Sequence, residues 1–382
     1  MKRIVVKIGS AVLSGLDGGI KREVIARLVE DVSLLMKGDY QVVMVTSGAV
    51  NTGRSALPLA NPAFEVVAPT GYDRRLLREQ ILAAVGQPKL MAIYGAEFDK
   101  HDLSCAQLLT TRSDFADRKF YLSLRIVTEG LLRRGIVPIF NENDVLTTEE
   151  LDFSDNDEQA LMIAAMMLAD RLVILTDVAG VYDRPPKEAG AQLIPEIIDV
   201  ATFVASLEVG KFTGKGGILS KLHSAEVITS LGIPMHIASG FERSPLSRIL
   251  KGEQLGTAFP TAVERVEAKK GWLTTAAAGA GKIVVSTYLA EILRRGGTDL
   301  GRKTPSVLLP GIETVEGGFE KGDVIEVLDD AGILLGRGMS RESSGKLREK
   351  ISWYMALPDE EKEKVRMAEI IAVHANDFVF AK

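Results

Sequence analysis

The chain has 382 residues, a length that suits two domains better than one. With 46% hydrophobic and 25% charged residues it has the make-up of an ordinary globular protein. A net charge of −5 argues against a surface built mainly for nucleic acid, and a single cysteine, Cys105, excludes an intramolecular disulfide and points to the cytoplasm. Cys105 reads as a small core residue. The four histidines (His101, His223, His236 and His374) form no metal-ligand motif. The opening apolar run is too short for a secretory signal, and no segment is long enough to span a membrane.

In chain order, "RIVVKIG" reads as a buried strand, and "REVIARLVEDVSLLMKGD" as a helix with Val24, Ile25, Leu28, Val29, Val32, Leu35 and Met36 at helical spacing. "QVVMVTSGAV" reads as a strand ending in a Ser-Gly turn. "FYLSLRIVTEGLLRRG" is helical, "IVPIFNEND" is a strand with a polar end, "DEQALMIAAMMLAD" is helical and "RLVILTDVAGVYD" is a strand. "GGILSKLHSAEVITSLG" is a helix with Ile218, Leu222, Ala225 and Ile228 on one face, and "IPMHIASG" is the next strand. This alternation predicts a mainly parallel sheet with helices on both faces. Beyond Trp272 short strand-like runs with glycine breaks predict a small, mostly β domain, with the boundary at about 264–270. "LPDEEKEKVRM" reads as a solvated helix or linker before a last strand, "EIIAVHANDFVF".

Polar residues collect at the predicted strand ends, the edge where open α/β sheets bind ligands. Lys7 sits inside an apolar strand just before Gly9-Ser10, where a buried ammonium needs a partner or a ligand, unless it snorkels to water. Thr46-Ser47-Gly48-Ala49 ends the second strand, where glycine lets backbone amides approach an anion. "FNEND" and "FSDNDEQ" bring Asn141, Asn143, Asp144, Asp155, Asn156 and Asp157 to two turns. Helix capping accounts for one of the last three but not for Asp157. Thr176-Asp177 either meets a nucleotide or starts a turn. "GKFTGKGGILSK" nearly matches the P-loop pattern and fails it: Gly210 and Gly214 stand one position too close, and Gly216 follows Lys215 where Ser or Thr is required. Its glycines nevertheless precede a helix whose N-terminus suits phosphate, with Lys221 one turn in. Together these residues fit phosphoryl transfer, which asks for positive charge, backbone donors and positioning.

"VVKIGSAVL", "VTSGAV…GR", "LLREQILAAVGQPKLM", "IVPIFNENDV", "DNDEQA", "LTDVAGVYD" and "GKGGILSKLHSA" resemble, in order, the motifs of the glutamate 5-kinase family, part of the amino-acid kinase superfamily. The resemblance covers about residues 1 to 260, and the remainder resembles a PUA domain. It implies an α/β fold: an amino-acid-kinase-like αβα sandwich over residues 1–264 and a PUA-like domain over 271–382. It also implies ATP-dependent phosphorylation of L-glutamate to γ-glutamyl phosphate, the first step of proline synthesis.

By the same resemblance, Lys7 and Lys221 neutralise charge on the transferred phosphoryl group and Asp157 aligns them. Ser47, Asp144 and Asn156 hold glutamate, with Asn141 and Asp155 close by. Thr176, Asp177, Lys215, Gly216, Gly217, Ile218, Leu219, Ser220 and Lys221 bind ATP, while Gly9, Ser10 and Gly48 supply backbone contacts. Mg²⁺ would bridge the β- and γ-phosphates with few direct protein ligands. Two stretches depart from the family: "GKGGI" stands for the usual "GTGGM", and residues 56–75 are longer and more divergent. The expected partners are L-glutamate and ATP, with proline as a candidate feedback ligand and a second copy of the chain in a homo-oligomer. The alternatives are an N-acetylglutamate, aspartate, carbamate or nucleoside monophosphate kinase, or an RNA-associated protein acting through the PUA-like domain. No concentrated basic run beyond Trp272 supports RNA binding.

Overall fold

The computed structural model describes residues 1–15, 19–57, 66–146, 156–207, 217–275, 281–298 and 305–381. The chain divides into two compact units, Met1–Thr111 with Leu124–Arg265, and Arg112–Ser123 with Val266–Lys382. No helix among the described residues is long and apolar enough to cross a membrane.

The first unit is built on a seven-stranded sheet: β1 (Lys2–Ile8), β2 (Tyr40–Val45), β3 (Cys105–Thr110), β4 (Val137–Glu142), β5 (Arg171–Thr176), β6 (Met235–Ser239) and β7 (Thr257–Phe259). The strand order is β3-β4-β2-β1-β5-β6-β7, parallel throughout except for the β6–β7 pair. The helices up to this unit's end are α1 (Ser10–Leu13), α2 (Arg22–Met36), α3 (Ala49–Ala56), α4 (Arg74–Asp99), α5 (Arg112–Ala116), α6 (Arg118–Leu132), α7 (Asn156–Met166), α8 (Val200–Ser206), α9 (Ile218–Ser230) and α10 (Pro245–Leu250).

A parallel sheet is covered on both faces, so its strands are apolar on both sides. In β1 every residue from Ile4 to Ile8 is buried. Ile4, Val6 and Ile8 join Val42, Met44, Val173 and Leu175 in one core, closed by Val24, Ile25, Leu28, Val29 and Val32 of α2 and Leu90, Tyr94 and Phe98 of α4. Side chains alternate along a strand, so Val5 and Lys7 belong to the opposite face. There α7 packs on the sheet, with every residue from Gln159 to Met166 buried, and α9 packs against α7. A helix buried all round carries no amphipathic stripe, which fits the unbroken apolar run ALMIAAM.

The 26-residue α4 has no counterpart among the elements read from the sequence. Gly86, Pro88 and Gly95 look like breaks, yet the helix runs through them, started by Asp73, whose carboxylate accepts from the Arg75 and Leu76 amides. The glycine has a use. A Cβ on Gly86 would lie 1.8 Å from the Ala49 carbonyl oxygen, and one on Gly53 would lie 1.9 Å from the Leu82 carbonyl oxygen. Backbone therefore meets backbone where α3 and α4 cross. Gly48, at φ 103°, turns the chain from β2 into α3 through a left-handed conformation that side chains disfavour.

The second unit holds α11 (Ala268–Thr275), β8 (Gly281–Val285), α12 (Thr287–Thr298), β9 (Val307–Leu308), β10 (Ile312–Gly317), β11 (Val324–Leu328), β12 (Leu334–Ser340), α13 (Ser344–Ala356), α14 (Asp359–Lys362) and β13 (Ile371–Phe380). Its six-stranded sheet has the order β10-β8-β11-β12-β13-β9, antiparallel except between β8 and β11. Ile283, Val285, Leu293, Ile325, Val327 and Val373 lie in its core. Trp272 donates its indole N–H to the Phe115 carbonyl at 2.9 Å and lies 5.7 Å, ring to ring, from Tyr121, which ties residues 112–123 to this unit.

Candidate active site

The order β4-β2-β1-β5 sets the C-terminal ends of four parallel strands side by side, each carrying one of the polar turns. At the middle of that edge Lys7 reaches Asp157, Nζ to Oδ1 at 2.6 Å, and Lys221 reaches the other carboxylate oxygen at 3.0 Å. Asp157 is fully buried and Lys7 is 6% exposed. Asp157 lies in the first turn of α7, where the helix dipole favours negative charge. Burial pushes its carboxyl up, but the Lys7 and Lys221 ammoniums and their hydrogen bonds outweigh that and hold it below the usual carboxylate range. Two ammoniums thus converge on one carboxylate at the middle of the sheet edge. Positive charge is what a transferring phosphoryl group needs.

Beside this cluster a chain of amides links the ends of β2 and β4 to the start of α7 and to α4. Asn156 Nδ2 donates to the Thr46 carbonyl at 3.1 Å, to Ser47 Oγ at 2.7 Å and to Asn141 Oδ1 at 3.4 Å. Asn141 Nδ2 donates in turn to Gln87 Oε1 at 2.8 Å. Thr46 is further pinned by Tyr94, hydroxyl to hydroxyl at 2.8 Å. Among the described residues Asn156 Oδ1 is buried with no hydrogen-bond partner. A buried acceptor left open beside a cleft suits a ligand donor.

Asp144 follows β4 at the rim. Burial pushes its carboxyl up to about 6, with the Glu79 carboxylate on α4 adding to the rise. The residues read as nucleotide contacts lie on the other side of Lys7. The Gly9 amide is donated to the Leu175 carbonyl at 2.9 Å, and Ser10 opens α1. Thr176 Oγ1 donates to Asp177 Oδ1 at 3.1 Å, and the Thr176 carbonyl accepts from the Gly240 amide. Gly217 caps α9, whose first turn carries Ile218, Leu219, Ser220 and Lys221. Asp155, Lys215 and Gly216 lie outside the described residues.

Lys7, Asp157 and Lys221 are thus brought together, and so are Ser47, Asn141 and Asn156. Asp144 joins no side-chain hydrogen bond of that chain and has Glu79 as its charged neighbour. The residues that sequence reasoning missed are Gln87, Tyr94 and Glu79. All three lie on α4, inside or next to a stretch quoted as a motif with no element assigned to it. Among the described residues no group of three His, Cys, Asp or Glu side chains could hold a metal ion.

The model of the amino acid kinase family matches residues 2–239, and that of the PUA domain matches residues 292–352. The chain is 37% identical over 347 residues to the glutamate 5-kinase of Citrifermentans bemidjiense, covering 90% of this chain and 88% of the relative. It is 36% identical over 349 residues to the glutamate 5-kinase of Deinococcus radiodurans, covering 91% of both. A third relative of that name, from Syntrophus aciditrophicus, is 36% identical over 351 residues, covering 91% of this chain and 86% of the relative.

Proposed function

The chain belongs to the amino acid kinase family, and we infer that it is a glutamate 5-kinase, transferring the γ-phosphoryl group of ATP to the side-chain carboxylate of L-glutamate. The product, γ-glutamyl phosphate, opens proline synthesis. The observation that carries this reading is the pair of lysines held on one buried carboxylate, next to an amide chain with an open acceptor.

A carboxylate oxygen of glutamate attacks the γ-phosphorus. The bond to the β,γ-bridging oxygen breaks, and ADP leaves with the electron pair. The nucleophile is already ionised at neutral pH, so no general base is needed. Catalysis then rests on charge and position. Lys7 and Lys221 neutralise the phosphoryl oxygens, while Asp157 holds the two ammoniums in register. Ser47 Oγ accepts from Asn156, which leaves its own hydrogen for a substrate carboxylate. Asp144 and Asn156 Oδ1 accept from the substrate ammonium.

The nucleotide lies along Gly9, Ser10, Thr176, Asp177 and the segment from Lys215 to Lys221. The one buried carboxylate of the cluster is committed to lysines, so Mg²⁺ would be held by nucleotide phosphates and water, supplying charge neutralisation there. We assign the catalytic domain to residues 1–264, with 112–123 counted in the second compact unit. The PUA-like part, 271–382, we read as architectural or regulatory.

The test is coupled ADP release with L-glutamate, N-acetylglutamate, aspartate, carbamate and a nucleoside monophosphate as acceptors. ADP release with L-glutamate is expected. ADP from another acceptor and none from glutamate overturns the reading. Proline added to the same assay tests feedback.

A further inference from the structure

The amide chain beside the cluster has a direction, and the backbone sets it. The Thr46 carbonyl can only accept, so the Asn156 atom next to it is the nitrogen. That nitrogen also faces Asn141, so the Asn141 atom it meets is the oxygen. The Asn141 nitrogen is then turned toward Gln87 and needs an acceptor there, which Gln87 Oε1 provides at 2.8 Å. Read this way, Asn156 is left with a free oxygen and Ser47 with a free hydrogen. These are the two groups that an amino acid's ammonium and carboxylate require.

Gln87 is 8% exposed, and Asn141, which depends on it, is 2% exposed. An Asn141 nitrogen without an acceptor would be a buried donor left open, with its desolvation uncompensated. Turning Asn141 over to escape that cost would aim its nitrogen at the Asn156 nitrogen and disturb the substrate-facing groups. The position of Gln87 is itself secured by backbone. Its neighbour Gly86 approaches the Ala49 carbonyl so closely that no side chain fits between them, and Ala49 lies two residues after Ser47.

We propose that Gln87 is a positioning residue for substrate recognition: as the terminal acceptor of the chain Asn156–Asn141–Gln87, it keeps Asn156 and Ser47 in the orientation that receives the amino-acid substrate. The proposal rests on the reaction assigned above. It makes no demand on direct contact between Gln87 and the substrate.

Steady-state ADP release by the full chain tests it, with Q87M, which keeps length and loses the acceptor, and Q87E, which keeps the acceptor. Q87M is expected to raise KM for L-glutamate at least about tenfold, with kcat at saturating glutamate within about threefold and KM for ATP within about twofold. Q87E is expected to keep KM for glutamate within about threefold, because its carboxylate still accepts from Asn141. A Q87M protein with unchanged KM for glutamate overturns the proposal. So does one in which kcat and both KM values shift together. An equal rise of KM in Q87E overturns it too, by pointing to direct contact through the lost Nε2. If Q87M does not fold, Q87L, which also lacks the acceptor, takes its place under the same criteria. Wild-type protein inactive on glutamate refutes the assigned reaction, whereas active wild type with an insensitive Q87M refutes only the role of Gln87.

Discussion

Replacing Asp157 by Asn removes one negative charge and leaves the shape nearly unchanged. Its consequences follow from two distances. The carboxylate oxygens stand 2.6 Å and 3.0 Å from the Lys7 and Lys221 ammoniums, and the carboxylate is fully buried. Removing one partner from a buried ion pair costs roughly 3–5 kcal/mol, because the other charge stays buried and uncompensated. Here one carboxylate serves two ammoniums, so D157N also sets two like charges against each other. If about 3–4 kcal/mol of that loss falls on the transition state, kcat drops by about 10²–10³-fold, at about 1.4 kcal/mol per decade. KM for glutamate should move far less, since the ion pairs of Asp157 are with the two lysines that face the phosphoryl group.

The assay is ADP release at saturating substrates, paired with urea unfolding across pH. The Asp157 carboxyl is held below its usual range in the folded protein. Its contribution to stability is therefore present above the unfolded value of about 4 and lost as pH falls through the lower folded value. The stability gap between wild type and D157N should narrow in that acidic window. A D157N enzyme with kcat within about threefold of wild type, or a gap that widens below about pH 4, refutes the reasoning.

Lys7→Ala and Lys221→Ala should each lower kcat far more than they raise KM for glutamate, since both act on charge that grows in the transition state; equal effects on the two parameters would place them in ground-state binding. KM for glutamate should rise as pH falls through about 6, because in the proposed binding mode protonation of Asp144 removes a charge offered to the substrate ammonium. Glu79→Gln should move that limb to lower pH by removing a like charge, and an unmoved limb would separate Glu79 from the titration. Gly86→Ala should destabilise the protein by at least about 3 kcal/mol, because the new methyl meets a backbone carbonyl. That corresponds to a fall in Tm of about 6–12 °C by thermal unfolding, and a fall under about 2 °C would contradict the close crossing.

The meeting of the three charges was legible because they break local rules. Lys7 interrupts an apolar strand, and Asp157 is an acid that capping does not explain, so both announce a partner elsewhere. Lys221 was legible through its place one turn into a helix behind glycines. The repeating strands and helices spelled out the parallel sheet, since each element satisfies its own periodicity. The supports of the site were not legible. Gln87 sits in a helix interior, where a glutamine looks like a solvated position, and only the fold reveals that its face meets Asn141. Tyr94 reads as an ordinary core aromatic until its hydroxyl is found on Thr46. Residues 112–123 join the second unit through Trp272, a partner about 150 positions away that no local pattern announces.

The crossing of α3 and α4 separates two properties that usually change together. The segment between these helices leads directly into the helix that carries Gln87, Glu79 and Tyr94. Two glycine contacts clamp the helices to each other from within. The placement of α4 against the end of β2 is thereby decided by backbone on the far side of the connection and not by the connection itself. Insertions or deletions between residues 57 and 73 can accumulate without moving Gln87 relative to Ser47. What fixes Ser47 and Gln87 relative to each other is thus the contact of two backbones and not the length of chain that joins them.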